Sequence, residues 1–382
     1  LGHASSLHGI NLTAKQLGVL TVGNVITNTQ INARFNVNLE NIKEDVTFGN
    51  VKSGNTVVIA KNLGKDFTFG NLDADTIATE STDNVRFVFD KVKGDVTFGN
   101  ITNLSSLDGD FRNIDGKLTI GTVPGSGPGV SKPNSAISLN FENIKDDVVV
   151  GNSTGGISAS KINVTAKSLD KNLTIKTLHM KASSNPTNKH HDGNVAIDGV
   201  KGNVKIGDGV TASIGDLNNF KADIKNVDGT VELGILRVIE NDASVDLKFN
   251  NINRDVTLSH FNMGNSAPYN TPQSVGVKYN LTADNLAQGL TIGNIGIKES
   301  GLTDIKNGLV NIDSGRTEGT VTIGNVTVGA DSTVKIDLSQ SLQVNTVGTI
   351  TGGNVTFKSS AISHTNGSNG VDISLASTTG IN

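Results

Sequence analysis

The sequence predicts an all-β chain, a parallel β-helix (β-solenoid) of about 12 irregular coils with variable loop insertions. Three observations predict it. A short phrase, apolar–Thr–apolar–Gly–Asn–apolar, recurs along most of the chain. A run of period-two alternation stands ahead of most copies. The composition is that of turns and sheet surfaces rather than of a bulky globular core.

The phrase reads Val46-Thr47-Phe48-Gly49-Asn50-Val51, Phe67-Thr68-Phe69-Gly70-Asn71-Leu72 and Val96-Thr97-Phe98-Gly99-Asn100-Ile101. It returns as Leu290-Thr291-Ile292-Gly293-Asn294-Ile295 and Val321-Thr322-Ile323-Gly324-Asn325-Val326. Aligned on this mark, coils fall near residues 23, 49, 70, 99, 121, 151, 176, 207, 234, 259, 293 and 324. Their mean spacing is about 27 residues, inside the range of solenoid repeats. The marks predict an array over 21–338, preceded by a cap or lead-in over 1–20. Atypical terminal coils over 339–382 follow, where the phrase survives as Gly353-Asn354-Val355-Thr356-Phe357.

Each phrase has an upstream half. Arg34-Phe35-Asn36-Val37-Asn38-Leu39-Glu40-Asn41-Ile42 leads through Lys43-Glu44-Asp45 into Val46. Residues 85–92, 137–144 and 245–252 lead into their own phrases in the same way. Alternation over six to eight residues predicts half-buried strands, and the β-branched and Phe content agrees. Thr13 to Leu20 is the nearest candidate for a short helix. Insertions are expected at 121–135, 183–192 and 264–273, which hold all 6 Pro as loops should.

Stacking follows from energetics. One coil buries four to six apolar side chains at roughly 1.5–3 kcal/mol each. Ordering about 27 backbones costs about 1–2 kcal/mol apiece. A lone coil therefore loses, and neighbours must share strands and core.

Gly and Asn most readily take left-handed conformations. The pairs Gly49-Asn50, Gly70-Asn71, Gly99-Asn100, Gly293-Asn294 and Gly324-Asn325 are therefore read as coil corners, with stacked Asn forming an amide ladder. A second Asn column runs through Asn41, Asn62, Asn113, Asn143, Asn226, Asn251 and Asn285. Both columns are read as structural.

Bulk composition narrows the function. Of 382 residues only 35% are apolar and 4% aromatic, with 44 Gly; globular domains average about 45–50% apolar with Gly counted. The net charge of −4 comes from interspersed residues without a basic stripe, which argues against nucleic acid. No apolar run approaches the ~18–20 residues of a membrane helix. There is no Cys, which does not fix the compartment. Leu1 heads the chain without a basic or apolar leader. A removed leader, a piece of a longer protein and another export signal all stay open.

No catalytic residues are assigned. A polysaccharide lyase or hydrolase on this fold needs clustered carboxylates and aromatic platforms, and the chain has no Trp and 2 Tyr. The column Asp45, Asp66, Asp95, Asp147 and Asp255 recurs as a turn residue does. His190-His191-Asp192 sits in a loop without a third fixed ligand. Calcium is the metal the composition favours, with Asp73, Asp75, Asp108 and Asp110 as candidate ligands. The Thr column (Thr47, Thr68, Thr97, Thr119, Thr174, Thr257, Thr291, Thr322, Thr356) should face outward. Such rows also occur on ice-binding solenoids, but Val149, Lys205 and Glu232 interrupt this one, which favours a plain sheet surface.

Units such as Asp95-Val96-Thr97-Phe98-Gly99-Asn100, in an Asn-, Thr- and Gly-rich chain without Cys or Trp, resemble parts of bacterial S-layer proteins and large secreted adhesins. The resemblance is one of repeat style over almost the whole chain. It implies a parallel β-solenoid at the cell surface, and calcium-dependent self-assembly with copies of itself. The expected role is a structural lattice or fibre component. The alternatives are an adhesin or autotransporter-type passenger binding cell-surface glycans, and, behind it, a polysaccharide-acting enzyme.

Overall fold

The fold was read from a computed structural model. It describes the chain except residues 1, 3, 7–8, 28–32, 75–83, 125–134, 154, 181–191, 208–213, 239–240, 264–274, 299–306, 344, 360–374 and 382. The expected insertions 121–135, 183–192 and 264–273 lie largely outside the described residues. Two compact units are formed: Leu1–His190 with Val200–Gly202, and His191–Gly199 with Asn203–Asn382.

Both units are all-β and built from the same coil. A long strand of up to nine residues comes first, such as Asn84–Val92. A turn of about three residues leads to a three-residue strand, Val96–Phe98. The Gly-Asn corner then leads into a third, short strand, Ile101–Thr102. Equivalent strands of successive coils pair in parallel and in register. Asn84–Val92 pairs with Ser106–Ile114 on one side and with Asn55–Leu63 on the other. The parallel solenoid expected from the repeat is therefore what each unit contains.

The middle strand marks the coils. Among the described residues the first unit has seven: Leu20–Val22, Val46–Phe48, Phe67–Phe69, Val96–Phe98, Leu118–Ile120, Val148–Val150 and Leu173–Ile175. The second has six among the described residues: Val204–Ile206, Val231–Leu233, Val256–Leu258, Leu290–Ile292, Val321–Ile323 and Thr346–Val347.

Three features differ from the sequence reading. Thr13 to Leu20 holds no helix. Gly9–Lys15 and Leu20–Val22 are strands that pair with Arg34–Glu40 and Val46–Phe48. The last middle strand is Thr346–Val347, which pairs with Thr322-Ile323. The phrase at Gly353-Asn354-Val355-Thr356-Phe357 instead lies inside Ile350–Ser359, whose second half pairs with Thr333–Leu338. Thr356 thus belongs to a long strand and leaves the Thr column. Finally, each coil has three strands, not two. The third is announced only by the apolar residue after Gly-Asn.

Alternation works as expected in the middle strand, where the outer two residues are buried and the central one faces out. In the long strand it breaks near the end. Asn55–Leu63 is buried at positions 2, 4, 6 and 9. The eighth residue, Asn62, has φ 54°. A left-handed residue there holds two successive side chains outward and returns the ninth to the core. Asn41, Asn113, Asn143, Asn226, Asn251 and Asn285 do the same with φ of 52–58°. The second Asn column is therefore the left-handed one.

The core consists of files of like residues. In the first unit, Phe89, Phe111 and Phe141 are register neighbours, with stacked rings 5.7 and 5.9 Å apart. Phe98 lies against Phe87 at 4.4 Å and also meets Phe67, Phe69, Phe89 and Phe111. In the second unit Tyr279 packs on Phe261 at 4.8 Å. Burial pushes the Tyr279 phenol up from its ordinary value.

Candidate functional site

Three files of polar side chains run from coil to coil on the outside of the units, and they define the surface. The first follows the left-handed Asn column. Asn62 Nδ2 donates to Asn41 Oδ1 at 3.0 Å, Asn143 to Asn113 at 3.2 Å, Asn251 to Asn226 at 2.9 Å and Asn285 to Asn251 at 3.2 Å. This is a side-chain amide ladder, in the column where only the backbone turn demanded Asn.

The second file is the Asp column. Asp66 Oδ1 accepts the Asp95 N–H, and Asp95 Oδ1 the Lys117 N–H, both at 2.8 Å. Asp147 Oδ1 accepts from the Asn172 backbone and side chain at 3.2 and 2.9 Å. Asp255 Oδ1 accepts the Gly289 N–H at 2.9 Å. Each carboxylate ties the turn of one coil to the next. Beside them, Lys145–Asp115, Lys171–Asp146 and Lys201–Asp170 pair at 2.6–2.9 Å. The Lys171 ammonium and the Asp147 N–H hold the Asp146 carboxyl below its ordinary range. Such exposed pairs each contribute about 0–1 kcal/mol.

The third file is the Gly-Asn corner. The Asn24, Asn50 and Asn71 Oδ1 atoms accept the backbone N–H of Asn50, Asn71 and Asn100 at 2.8–2.9 Å, and the Asn100 Oδ1 that of Thr122 at 2.9 Å. In the second unit Asn294 and Asn325 accept from Asn325 and Thr349 at 2.8 and 2.9 Å. His260 Nδ1 takes the Asn role below Asn294, at 3.0 Å. The corner ladder thus runs from side chain to backbone.

None of Gly49-Asn50, Gly70-Asn71, Gly99-Asn100, Gly293-Asn294 and Gly324-Asn325 adopts positive φ, so the left-handed reading of these corners is corrected; among the aligned marks Gly151 and Gly207 do adopt it, at 96° and 82°. Glycine is required there for space. A Cβ on Gly70 would stand 2.7 Å from the Asn50 Oδ1 and from the carbonyl carbon and oxygen of Gly49. At these corners successive coils approach backbone to backbone and leave no room for a Cβ; Lys176 and Ser259 hold the equivalent place in two other coils.

The corner file forms one wall of an open groove of about 390 Å³ in the first unit. Its other side is the outward rank of the third strands: Ile26, Lys52, Asp73 and Thr102, which stand in register. Ile26 is 55% exposed. Lys52 and Asp73 pair at 3.5 Å, and Asp73 Oδ1 also accepts from Asn103 at 2.8 Å. Each coil contributes two groove residues, two positions apart, with inward Val25, Val51, Leu72 or Ile101 between them. The sequence reading missed Asn24, Ile26, Lys52 and Thr102 as surface partners. Period-two counting continued through the corner, from Asn24 to Ile26 and from Asn50 to Lys52, would have found them.

The calcium candidates are placed apart. Asp73 lies in this groove beside Lys52. Asp108 and Asp110 share the long strand Ser106–Ile114. Asp108 faces Arg86 at 3.5 Å. Asp110 binds Arg112 at 2.7 Å and accepts from Asn140 at 2.8 Å. Asp75 lies outside the described residues, as do His190 and His191. Among the described residues no group of three or more His, Cys, Asp or Glu could hold a metal ion. The Thr column faces outward in one rank, with Thr21, Thr47, Thr68, Thr97, Thr119, Val149 and Thr174 in register in the first unit.

No family model, no curated protein and no solved structure matches this chain.

Proposed function

We propose that this chain is an extracellular structural repeat protein, a building unit of a self-assembling cell-surface lattice or fibre of the S-layer kind. The observation that carries the reading is the coil-to-coil ladder on the outside of each unit. Like side chains recur at steps of about 4.8 Å, Asp at the turn and Asn at the corner in many of the coils, with single-coil replacements such as Lys117, Asn172 and His260. Such a surface is periodic, and periodic surfaces suit repeated contacts with copies of the same chain. Its ladders use backbone N–H groups of the next coil, which stiffens the stack along its length. Function here is geometric: spacing and rigidity, with no bond made or broken.

The test is electron microscopy of purified protein and of the producing cell's surface, with and without chelator. Ordered arrays or fibres are the expected result, and their loss on chelation would bring calcium into the assembly. A protein that stays monomeric at all salt and calcium concentrations would overturn the reading.

A further inference from the structure

We infer that the groove between the Asn corner and the third strands of the first unit binds an extended neutral glycan chain, lying along the stacking direction with about one sugar per coil. The inference is independent of the assembly role proposed above. Four things on the molecule's surface point to it.

First, the Asn wall is oriented. In Asn24, Asn50, Asn71 and Asn100 the ladder commits Oδ1 to the next backbone N–H. The Nδ2 groups make no hydrogen bond among the described residues, and the Asn50 and Asn71 side chains are exposed. The ladder therefore presents a file of amide donors, all turned the same way. Sugar hydroxyl and ring oxygens accept from such donors.

Second, the facing rank is amphipathic. Ile26 and the Lys52 stem offer C–H surface to the flat side of a pyranose ring. Lys52 Nζ and the Asp73 carboxylate, on neighbouring coils and 3.5 Å apart, offer a donor and an acceptor side by side, which is what a vicinal diol takes.

Third, the charges cancel. Lys52 and Asp73 are paired with each other, and the remaining groove residues are neutral. A polyanion finds no net attraction here, whereas a neutral chain loses nothing.

Fourth, the repeat matches. The four coils of the groove span three inter-strand steps, about 14 Å in all. A β-1,4-linked sugar chain advances by a similar step per residue, so each sugar lies level with one coil and its donor, with successive sugars presenting alternate edges to the file. Single contacts of this kind are weak, and affinity accumulates with length.

The test uses isothermal titration with neutral β-1,4-linked oligosaccharides of glucose, N-acetylglucosamine and mannose, from two to six units, and with oligogalacturonate as the anionic probe. At least one neutral series is expected to bind, with affinity rising up to about four units and then levelling. The variant Asn50→Asp with Asn71→Asp keeps an oxygen to accept each backbone N–H but removes the two outward donors. It is expected to stay folded and to lose about tenfold or more in affinity. Ile26→Glu, an exposed position outside the ladder, provides a second variant with an expected loss. Absence of binding by all three neutral series overturns the inference. So does wild-type affinity in both variants, or a preference for oligogalacturonate.

Discussion

Gly70→Ala isolates what holds neighbouring coils at their spacing. The added Cβ would lie 2.7 Å from the Gly49 carbonyl carbon and oxygen, whereas ordinary contacts begin near 3.4 Å. The obstacle is backbone, so the corner must lift by roughly 0.7 Å. Two hydrogen bonds cross that gap: Gly70 N–H to Phe48 O at 3.0 Å and Asn71 N–H to Asn50 Oδ1 at 2.9 Å. Stretched by that amount they leave the bonding range, at about 1 kcal/mol each. Loosened contacts of Phe69 and Leu72 add about 1 kcal/mol. Replacing glycine returns about 0.4–1 kcal/mol through the unfolded chain. The net expectation is a loss of about 1.5–3 kcal/mol.

The control is Gly18→Ala, whose Cβ meets nothing within 4 Å and whose effect should fall between zero and about 1 kcal/mol of stabilisation. Stacked coils open locally. Native-state hydrogen exchange at Phe69 to Leu72 is therefore the assay, with urea unfolding beside it. If Gly70→Ala behaves as Gly18→Ala does, close backbone approach is not why glycine stands at the corner.

Three further outcomes are expected. Phe98→Ala empties the centre of the Phe cluster and should cost about 3–5 kcal/mol in urea unfolding; a cost under about 1 kcal/mol would mean the ring file is loosely packed. At Asn251, with φ 54°, valine should be worse than glycine by about 1–2 kcal/mol, and equal stability would count against the left-handed role. The Asp313 carboxyl is pushed up by partial desolvation and by Asp337 and Asp284. A carboxyl raised above its unfolded value penalises the fold when ionised, and the penalty disappears as pH falls through the folded value. Asp313→Asn should thus be the more stable protein at neutral pH and converge with wild type below about pH 4. Thermal melts across that range that show no difference, or the reverse order, would contradict this.

Much of the architecture could be read from residues alone. Period-two alternation in Phe35-Asn36-Val37-Asn38-Leu39 marked an inward face. The recurrence of Thr-Phe-Gly-Asn marked the stacking of equivalent segments. The inward Phe48, Phe69 and Phe98 were recognisable from their place in the phrase. The groove was less legible. Its third-strand rank, Ile26, Lys52, Asp73 and Thr102, shares no residue type from coil to coil, so no repeat search finds it. The terminal coil was misplaced for a related reason. Gly353-Asn354 copies the letters of a corner, while the true corner at Gly348 follows Thr346-Val347 and lacks its Asn.

The sequence by itself determined that this chain is a stack of parallel coils and which side chains line the interior. That information is local, because a strand's two faces are set by neighbouring residues. Only the tertiary structure decided what the two Gly/Asn columns are for. The corner glycines answer to the backbone of the coil below, and the left-handed turn belongs to Asn41, Asn62 and their counterparts. The physical reason is distance along the chain. The atoms that meet at a corner come from segments 21 or more residues apart, and loops of unequal length hide that alignment until the coils are placed on one another.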